Sequence, residues 1–168
     1  MSECRFMHVG MTVSDLQQTE AFYTRYFGFK KTLDSCFKPE FFAAYESLYH
    51  LPNGTGCRFG FLEAPDGTVI ELFQFSVQVP CEAAVWNKPG YHHICLRVPD
   101  IKEICQRMEE EGVEFFFKPS ERGKKGEDKY WVFLKDPDGN MIELQQNFRS
   151  RESVLSGVNY IFRKIMKK

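Results

Sequence analysis

HVGMTVSDL, residues 8–16, is repeated later in the chain as HICLRVPDI, residues 93–101. Each phrase begins with a histidine, His8 or His93, on a run whose alternating apolar residues predict a half-buried strand. Each phrase ends on an aspartate followed by an apolar residue, which is typical of a helix N-cap. The repeat therefore predicts two copies of one strand–helix unit.

A second pair of phrases closes each copy. TVIEL, residues 68–72, and NMIEL, residues 140–144, each place a glutamate, Glu71 or Glu143, on a strand-like run. Two histidines and two carboxylates at matched positions of a repeat are the donors that a divalent metal site between two pseudo-symmetric halves requires. The two glutamates and the two histidines are therefore candidate metal ligands.

Both copies show the element order β-α-β-β-β. The first predicts a strand at 6–13, a helix from the cap Asp15 to Gly28, and strands at 29–33, 57–62 and 68–75. The second predicts a strand at 91–98, a helix from the cap Asp100 to Gly112, and strands at 113–117, 130–134 and 140–146. Turns around Asp-Gly pairs, at 65–67 and 136–139, join the last two strands of each copy.

The copies differ in their loops. The first contains an insertion at 34–56, in which PEFFAAYESLY predicts a short helix with Pro39 in its first turn. This insertion is either a lid over the site or a surface helix that fills its own core. We expect one domain at 1–148, with module one at 5–76, a linker at 77–90 and module two at 91–148, followed by a helical tail at 149–168. The tail packs on this domain or on a partner, with a membrane-surface helix as the alternative.

The candidate ligands share the side of each strand that faces away from the helix. Because side chains alternate between the faces of a strand, Glu143 lies with Gln145 and opposes Ile142 and Leu144. The same alternation holds around the other three ligands, so all four are expected on the concave, helix-free face of a curved sheet. His92 has the opposite orientation and is not a candidate.

Bulk properties favour an ordinary folded domain. The chain has 168 residues, a net charge of −1 and no run of 18 apolar residues, so neither nucleic acid nor a membrane is an expected partner. Its six cysteines form no C-x-x-C pair and are expected as free thiols in the cytoplasm, where the absence of a signal peptide also places the protein. The 17 phenylalanines exceed ordinary usage and suggest an apolar pocket beside the core.

The motifs HVGMTVSDL, GTVIELFQF, GYHHICLRVPDI and KDPDGNMIEL resemble those of the vicinal oxygen chelate superfamily over about residues 5–148. That superfamily includes glyoxalase I, methylmalonyl-CoA epimerase, extradiol dioxygenases, and bleomycin- and fosfomycin-resistance proteins. The resemblance implies an α+β fold in which two βαβββ modules form a U-shaped, eight-stranded mixed sheet around a metal cleft. Motif by motif, it implies the ligands His8, Glu71, His93 and Glu143.

Two histidine nitrogens and two glutamate oxygens suit one divalent metal, namely Zn²⁺, Ni²⁺, Co²⁺, Mn²⁺ or Fe²⁺. Four protein ligands leave two octahedral positions for a small-molecule substrate with vicinal oxygens. The resemblance implies a lyase or isomerase that abstracts a proton next to a carbonyl and stabilises an enediolate or enolate. It also implies that a ligand carboxylate acts as the base, with Glu143 first and Glu71 second, and that the protein is a homodimer.

Several family members remain open. Bacterial glyoxalase I has a glutathione-binding arginine four residues after the first histidine and an asparagine four after the first glutamate, where this chain has Thr12 and Phe75. The stretch GYHHICLRVPDI and the 50-residue step from His93 to Glu143 resemble methylmalonyl-CoA epimerase more closely, but that enzyme has glutamine where Glu71 stands. Lys124 and Lys125 lie in a loop that is either solvated or in contact with an anionic substrate tail such as a CoA phosphate. An extradiol dioxygenase needs two histidines, one carboxylate and open iron positions, which a fourth protein ligand disfavours. A protein that binds an antibiotic-like molecule is the third alternative, supported by the aromatic excess.

Overall fold

The computed structural model describes residues 4–80, 85–117 and 131–146. The predicted C-terminal helix at 149–168 and the lysines Lys124 and Lys125 lie outside these residues. The elements in chain order are β1 (His8–Thr12), α1 (Leu16–Phe27), β2 (Lys30–Phe37), α2 (Pro39–Ala44), α3 (Glu46–Tyr49), β3 (Cys57–Glu63), β4 (Val69–Phe75), β5 (His93–Arg97), α4 (Ile101–Glu110), β6 (Trp131–Lys135) and β7 (Met141–Gln145).

The first copy of the repeat forms a four-stranded sheet in the order β1-β4-β3-β2. β1 and β4 are parallel, and the other neighbours are antiparallel. Helix α1 begins as predicted after Asp15, whose Oδ1 accepts hydrogen bonds from the backbone N–H groups of Gln17 and Gln18 at 2.9 and 3.0 Å. It ends as predicted at Gly28, whose φ of 71° is readily adopted by glycine.

The core of the first sheet lies under α1. Leu16 and Tyr23 of the helix are buried, as are Leu62, Ile70 and Leu72 of the strands. The predicted alternation of β4 is therefore confirmed, because the residues on either side of Glu71 face the core while Glu71 itself stays half-buried on the other face. Burial of these side chains supplies the hydrophobic free energy that fixes the register of β4.

The second copy forms a three-stranded sheet in the order β5-β7-β6, with β5 and β7 parallel. Asp100 caps α4 as Asp15 caps α1, with its Oδ1 accepting from the N–H groups of Lys102 and Glu103 at 2.9 and 3.1 Å. The apolar stripe of α4 is buried at Ile101, Cys105 and Met108, and Ile142 and Leu144 of β7 are fully buried. The mixed α+β class is confirmed.

A glutamine ties the last strand of each copy to the start of its helix. Gln74, three residues after Glu71, accepts a hydrogen bond through Oε1 from the N–H of Leu16 at 3.2 Å. Gln146, three residues after Glu143, accepts one from the N–H of Ile101 at 2.9 Å. Each bond satisfies one of the N–H groups that have no partner within the helix at its N-terminus. The two copies of the repeat therefore share this hydrogen bond as well.

Two predicted strands differ from the structure. β2 continues to Phe37 rather than ending at Leu33, because it pairs with β3 along its whole length. The predicted strand at 113–117 is reduced to an isolated bridge between Phe115 and Leu134, after which the backbone bends at residues 116–117. The described part of the second copy therefore has three strands, and the expected eight-stranded sheet is not observed.

The described residues fall into two compact units. The first comprises the chain up to residue 80 together with Asp136–Gly139, and the second comprises the remaining described ranges. Asp138 belongs to the first unit because its Oδ1 accepts a hydrogen bond from the N–H of Ser14 at 3.0 Å. In the part of the chain that the structure describes, no helix has the length and apolar character needed to cross a membrane.

Candidate metal centre

The first predicted pair, His8 and Glu71, is brought together by the parallel pairing of β1 with β4. In this register Gly10 lies beside Glu71, and His8 lies beside Val69. The Nε2 atom of His8 is 3.2 Å from Oε2 of Glu71. The glutamate side chain is 18% exposed and the histidine side chain 44%, so the glutamate is largely shielded from solvent and the histidine is partly accessible.

The second predicted pair, His93 and Glu143, has the same construction. β5 and β7 are parallel, with Cys95 beside Glu143 and His93 beside Met141. The Nε2 atom of His93 is 3.1 Å from Oε2 of Glu143, with 26% and 14% of the two side chains exposed. In both copies the histidine lies two residues before the residue that pairs with the glutamate across the sheet. The Nε2–Oε2 distances of the two pairs are nearly equal.

The spacing within each pair fits a bound ion. Nitrogen and oxygen donors bind such ions at about 2.1 Å, so adjacent donors lie about 3.0 Å apart around an octahedral ion and about 3.4 Å around a tetrahedral one. The observed separations of 3.2 and 3.1 Å lie between these values. Each pair thus has one nitrogen and one oxygen at a separation that two neighbouring ligands of one ion would have.

The structure brings the four candidates together as two pairs. Among residues 4–80, 85–117 and 131–146 there is no group of three or more His, Cys, Asp or Glu side chains close enough to hold one ion. His92, which strand alternation excluded as a ligand, and His50 of the insertion belong to neither pair. His92 Nε2 lies 3.2 Å from the carbonyl oxygen of Val85, and His50 ends α3 at a φ of 50°.

Aromatic rings surround the first pair. The imidazole of His8 stacks on Phe61 at 6.1 Å between centroids, and Phe59 stacks on both Phe73 and Phe37 along the same face. The insertion joins this cluster through Phe42, which is buried and packs edge-on against Phe75. The face of the sheet that carries Glu71 is therefore lined by aromatic rings, which we call the apolar wall. The excess of phenylalanine suggested such an apolar surface.

An aromatic side chain that sequence reasoning missed lies against the second pair. Trp86 of the linker stacks on His92 at 5.4 Å with an interplanar angle of 5°, and its ring lies 5.6 Å from that of His93. Phe133 contacts His93 edge-on at 5.1 Å. Trp86 belongs to neither copy of the repeat, so comparing the two copies with each other could not identify it.

Glu143 has two further hydrogen-bond donors beside it. The Nε2 atom of Gln145 donates to Oε1 of Glu143 at 2.6 Å. The thiol of Cys95 also bonds to Glu143, and its pKa is raised to about 12 by desolvation first and by the Glu143 charge and hydrogen bond next. Cys95 therefore keeps its proton at neutral pH and acts as a donor.

Comparison with known proteins decides the family. The sequence profile of the Glyoxalase/Bleomycin resistance protein/Dioxygenase superfamily matches residues 5–144, which contain both copies of the repeat. The chain belongs to this superfamily. The superfamily assignment agrees with the resemblance found from the motifs, and the sequence prediction of the family is confirmed.

Relatives within the superfamily carry one activity name. The chain is 29% identical to the lactoylglutathione lyase of Pseudomonas putida over 153 residues, covering 84% of each protein. It is 30% identical to the probable lactoylglutathione lyase of Vibrio cholerae, covering 88% of this chain and 94% of that protein. It is 32% identical to the lactoylglutathione lyase of Schizosaccharomyces pombe over 86% of its own length and spans about half, 48%, of that longer protein.

Solved structures of the superfamily share the fold. A glyoxalase family protein from Bacillus cereus aligns with a TM-score of 0.70 at 19% identity, over 87% of this chain and 95% of that one. The trypanothione-dependent glyoxalase I of Leishmania major aligns with a TM-score of 0.62 at 22% identity, over 99% of this chain and all of that one. At these identities the likeness establishes the fold alone.

Proposed function

We propose that this protein is a divalent-metal-dependent lyase of the glyoxalase I type, and that His8, Glu71, His93 and Glu143 hold one ion. The observation that carries the proposal is the pair of equivalent His–Glu contacts, at 3.2 and 3.1 Å, in two copies of one strand pairing. The names of the relatives from Pseudomonas, Vibrio and Schizosaccharomyces support the reaction type over the epimerase alternative.

The donor set suits a doubly charged ion. Two neutral imidazoles and two carboxylates carry a charge of −2, which balances Zn²⁺, Ni²⁺, Co²⁺, Mn²⁺ or Fe²⁺. Such an ion supplies Lewis acidity toward two vicinal oxygens of a substrate. The four strands hold the two imidazoles and the two carboxylates in place. Both glutamate side chains have low exposure, which keeps most water away from their carboxylates.

The substrate class that fits is the hemithioacetal of a 2-oxoaldehyde and a thiol. Glu143, or Glu71 as the second candidate, accepts the proton from the carbon that carries the hydroxyl and the sulfur. The electron pair of that C–H bond moves toward the neighbouring carbonyl, and the carboxyl group then returns the proton to the carbonyl carbon. The proton of the original hydroxyl passes to the former carbonyl oxygen, so the carbon that carries the sulfur becomes the new carbonyl. The product is a 2-hydroxyacyl thioester, so atoms and electrons balance without an oxidant.

The apolar wall beside the first pair suits the organic part of the substrate. Phe61 and Phe73 are half-buried and line the face that carries Glu71. Thr12 and Phe75 stand where the resemblance implies the glutathione-binding arginine and asparagine. We therefore expect an apolar substituent of the substrate to pack against these rings. We also expect a glutathione carboxylate to bind more weakly here than in bacterial glyoxalase I, which has the arginine and asparagine. A homodimer in the cytoplasm remains a prediction from the sequence.

Turnover in D₂O tests the reaction type. We expect the holoenzyme, incubated with methylglyoxal and a thiol, to form the thioester with the proton moving between adjacent carbons and with partial incorporation of solvent deuterium at C2. Thiol-dependent thioester formation is followed by its ultraviolet absorbance and the deuterium by mass spectrometry. Oxygen uptake with a catechol and no thioester would favour a dioxygenase, and tight ligand binding without turnover would favour a binding protein.

A further inference from the structure

We propose that Gln145 is a positioning residue for the Glu143 carboxylate and that it distinguishes the roles of the two ligand glutamates. By holding Oε1 of Glu143, Gln145 would leave Oε2 available to an ion and fix the orientation of the carboxyl group. The residues beside Glu71 that are equivalent to Gln145 and Cys95 are Phe73 and Gly10, which carry no side-chain donor, and Glu71 acts as a ligand. This inference rests on the proposed function.

The two oxygens of Glu143 have different partners. Oε1 accepts a hydrogen bond from Nε2 of Gln145 at 2.6 Å, whereas Oε2 lies 3.1 Å from Nε2 of His93. Residues two apart on a strand project from the same face, so Gln145 reaches Glu143 without any distortion of β7. A hydrogen bond to a charged acceptor is stronger than one between two neutral groups.

Cys95 supports the same carboxylate from the neighbouring strand. It lies beside Glu143 in the register of β5 and β7, and its thiol bonds to Glu143. Glu143 is therefore held from both its own strand and the adjacent one. A ligand that is held in this way loses little orientation when its bond to an ion loosens.

The equivalent positions around Glu71 offer no side-chain donor. Phe73 occupies the place of Gln145, and Gly10 occupies the place of Cys95. A Cβ atom at Gly10 would lie 3.4 Å from the Phe73 ring and 4.0 Å from Oε2 of Glu71, so the ring fills the space next to that carboxylate. Two independent differences in an otherwise repeated site thus separate Glu143 from Glu71.

Gln145→Met is the test variant because methionine has nearly the same length and no N–H donor. Gln146→Met is the matched control, since Gln146 is the next residue of the chain but bonds to the N-terminus of α4. We expect Gln145→Met to lower kcat by about 10- to 100-fold and to weaken Co²⁺ binding, measured by chelator competition, by about tenfold. Gln146→Met is expected to lower Tm and to leave kcat and Co²⁺ affinity within twofold of wild type.

Double variants separate a positioning role from a general structural one. The effect of Gln145→Met on residual kcat should disappear in a Glu143→Gln background and persist in a Glu71→Gln background. An equal loss in both backgrounds would overturn the proposal. So would wild-type kcat and Co²⁺ affinity in Gln145→Met alone.

A measurement on the metal-free protein keeps this inference distinct from the proposed function. The side-chain amide protons of ¹⁵N-labelled Gln145 should resonate downfield and shift upfield in Glu143→Gln. If they do so while wild-type protein neither binds Co²⁺ nor forms thioester, the proposed function fails and the contact stands. If the Gln145 amide is unaffected by Glu143→Gln, the positioning role is wrong even when wild-type turnover is normal.

Discussion

Trp86 packs against His93 with 5.6 Å between their ring centroids, although it comes from the linker and not from either copy of the repeat. The indole also lies 5.7 Å from Phe133, which contacts the same histidine edge-on. The three rings therefore form one cluster in which each contacts the other two. This arrangement provides a fluorescent group beside a candidate ligand.

Trp86 should report metal binding. We expect Co²⁺ or Ni²⁺ to quench the tryptophan fluorescence, with saturation at one ion per site, because their partly filled d shells accept excitation energy at short range. Zn²⁺, with a filled shell, serves as the control and should cause a much smaller change. Trp86→Phe should remove more of the Co²⁺ response than Trp131→Phe does, measured by titration of the metal-free protein, because the Trp86 ring contacts that of His93 whereas the Trp131 ring contacts that of Phe133. Loss of the response in both variants to the same extent, or in neither, would contradict this prediction.

Thr12 should determine the affinity for a glutathione-derived substrate. Thr12 is exposed on β1, so an arginine there would stay solvated. We expect Thr12→Arg to lower KM for the glutathione hemithioacetal by about tenfold, since a charge-assisted hydrogen bond contributes about 1.5–3 kcal/mol. Thr12→Gln adds length without charge and is the control. If steady-state kinetics show the same KM for Thr12→Arg and Thr12→Gln, the substrate carboxylate lies elsewhere.

Cys105 should resist alkylation and make the protein sensitive to alkali. Burial raises the pKa of this thiol to about 12, with the Glu109 charge as a smaller cause. An unfolded cysteine loses its proton near pH 8.5, so the folded state binds the proton more tightly between these values. The free energy of unfolding should therefore fall as pH rises from about 9 toward 12.

The measurement is iodoacetamide labelling at pH 8, followed by mass spectrometry of the peptides. Exposed Cys36 is the internal control and should be labelled quickly, whereas Cys105 should be labelled only as the protein unfolds. In denaturant titrations, Cys105→Ala should lose less stability between pH 9 and pH 11 than wild type does. Equal labelling rates for the two cysteines in the folded protein would show that α4 does not bury its apolar stripe.

Local and periodic features were predictable from the sequence. The caps Asp15 and Asp100, the end of α1 at Gly28 and the burial of Ile142 and Leu144 follow from side-chain chemistry and strand alternation, which involve near neighbours in the chain. Each His–Glu pair was predictable as well, because both members lie on strands whose apolar faces are fixed by the same core.

Features that depend on contacts between distant residues were not predictable. β2 extends past Leu33 because Asp34 forms two hydrogen bonds with Arg58 of β3, at 3.1 and 2.7 Å, and polar residues 34–35 alone suggest a loop. The Arg58 guanidinium, followed by Lys31, lowers the pKa of Asp34 to about 2, as expected for a carboxylate held in such a pair. The contacts of Trp86 with His93 and Phe133 likewise arise only in the folded chain.

The central claim is that the four ligands bind one divalent ion. Metal analysis of the purified protein after loading and desalting, alongside the double variant Glu71→Gln/Glu143→Gln, tests it most directly. We predict one equivalent of metal per set of four ligands in wild type and less than about a tenth of that in the double variant, with circular dichroism confirming that both are folded. Full metal retention in a folded double variant would contradict the account.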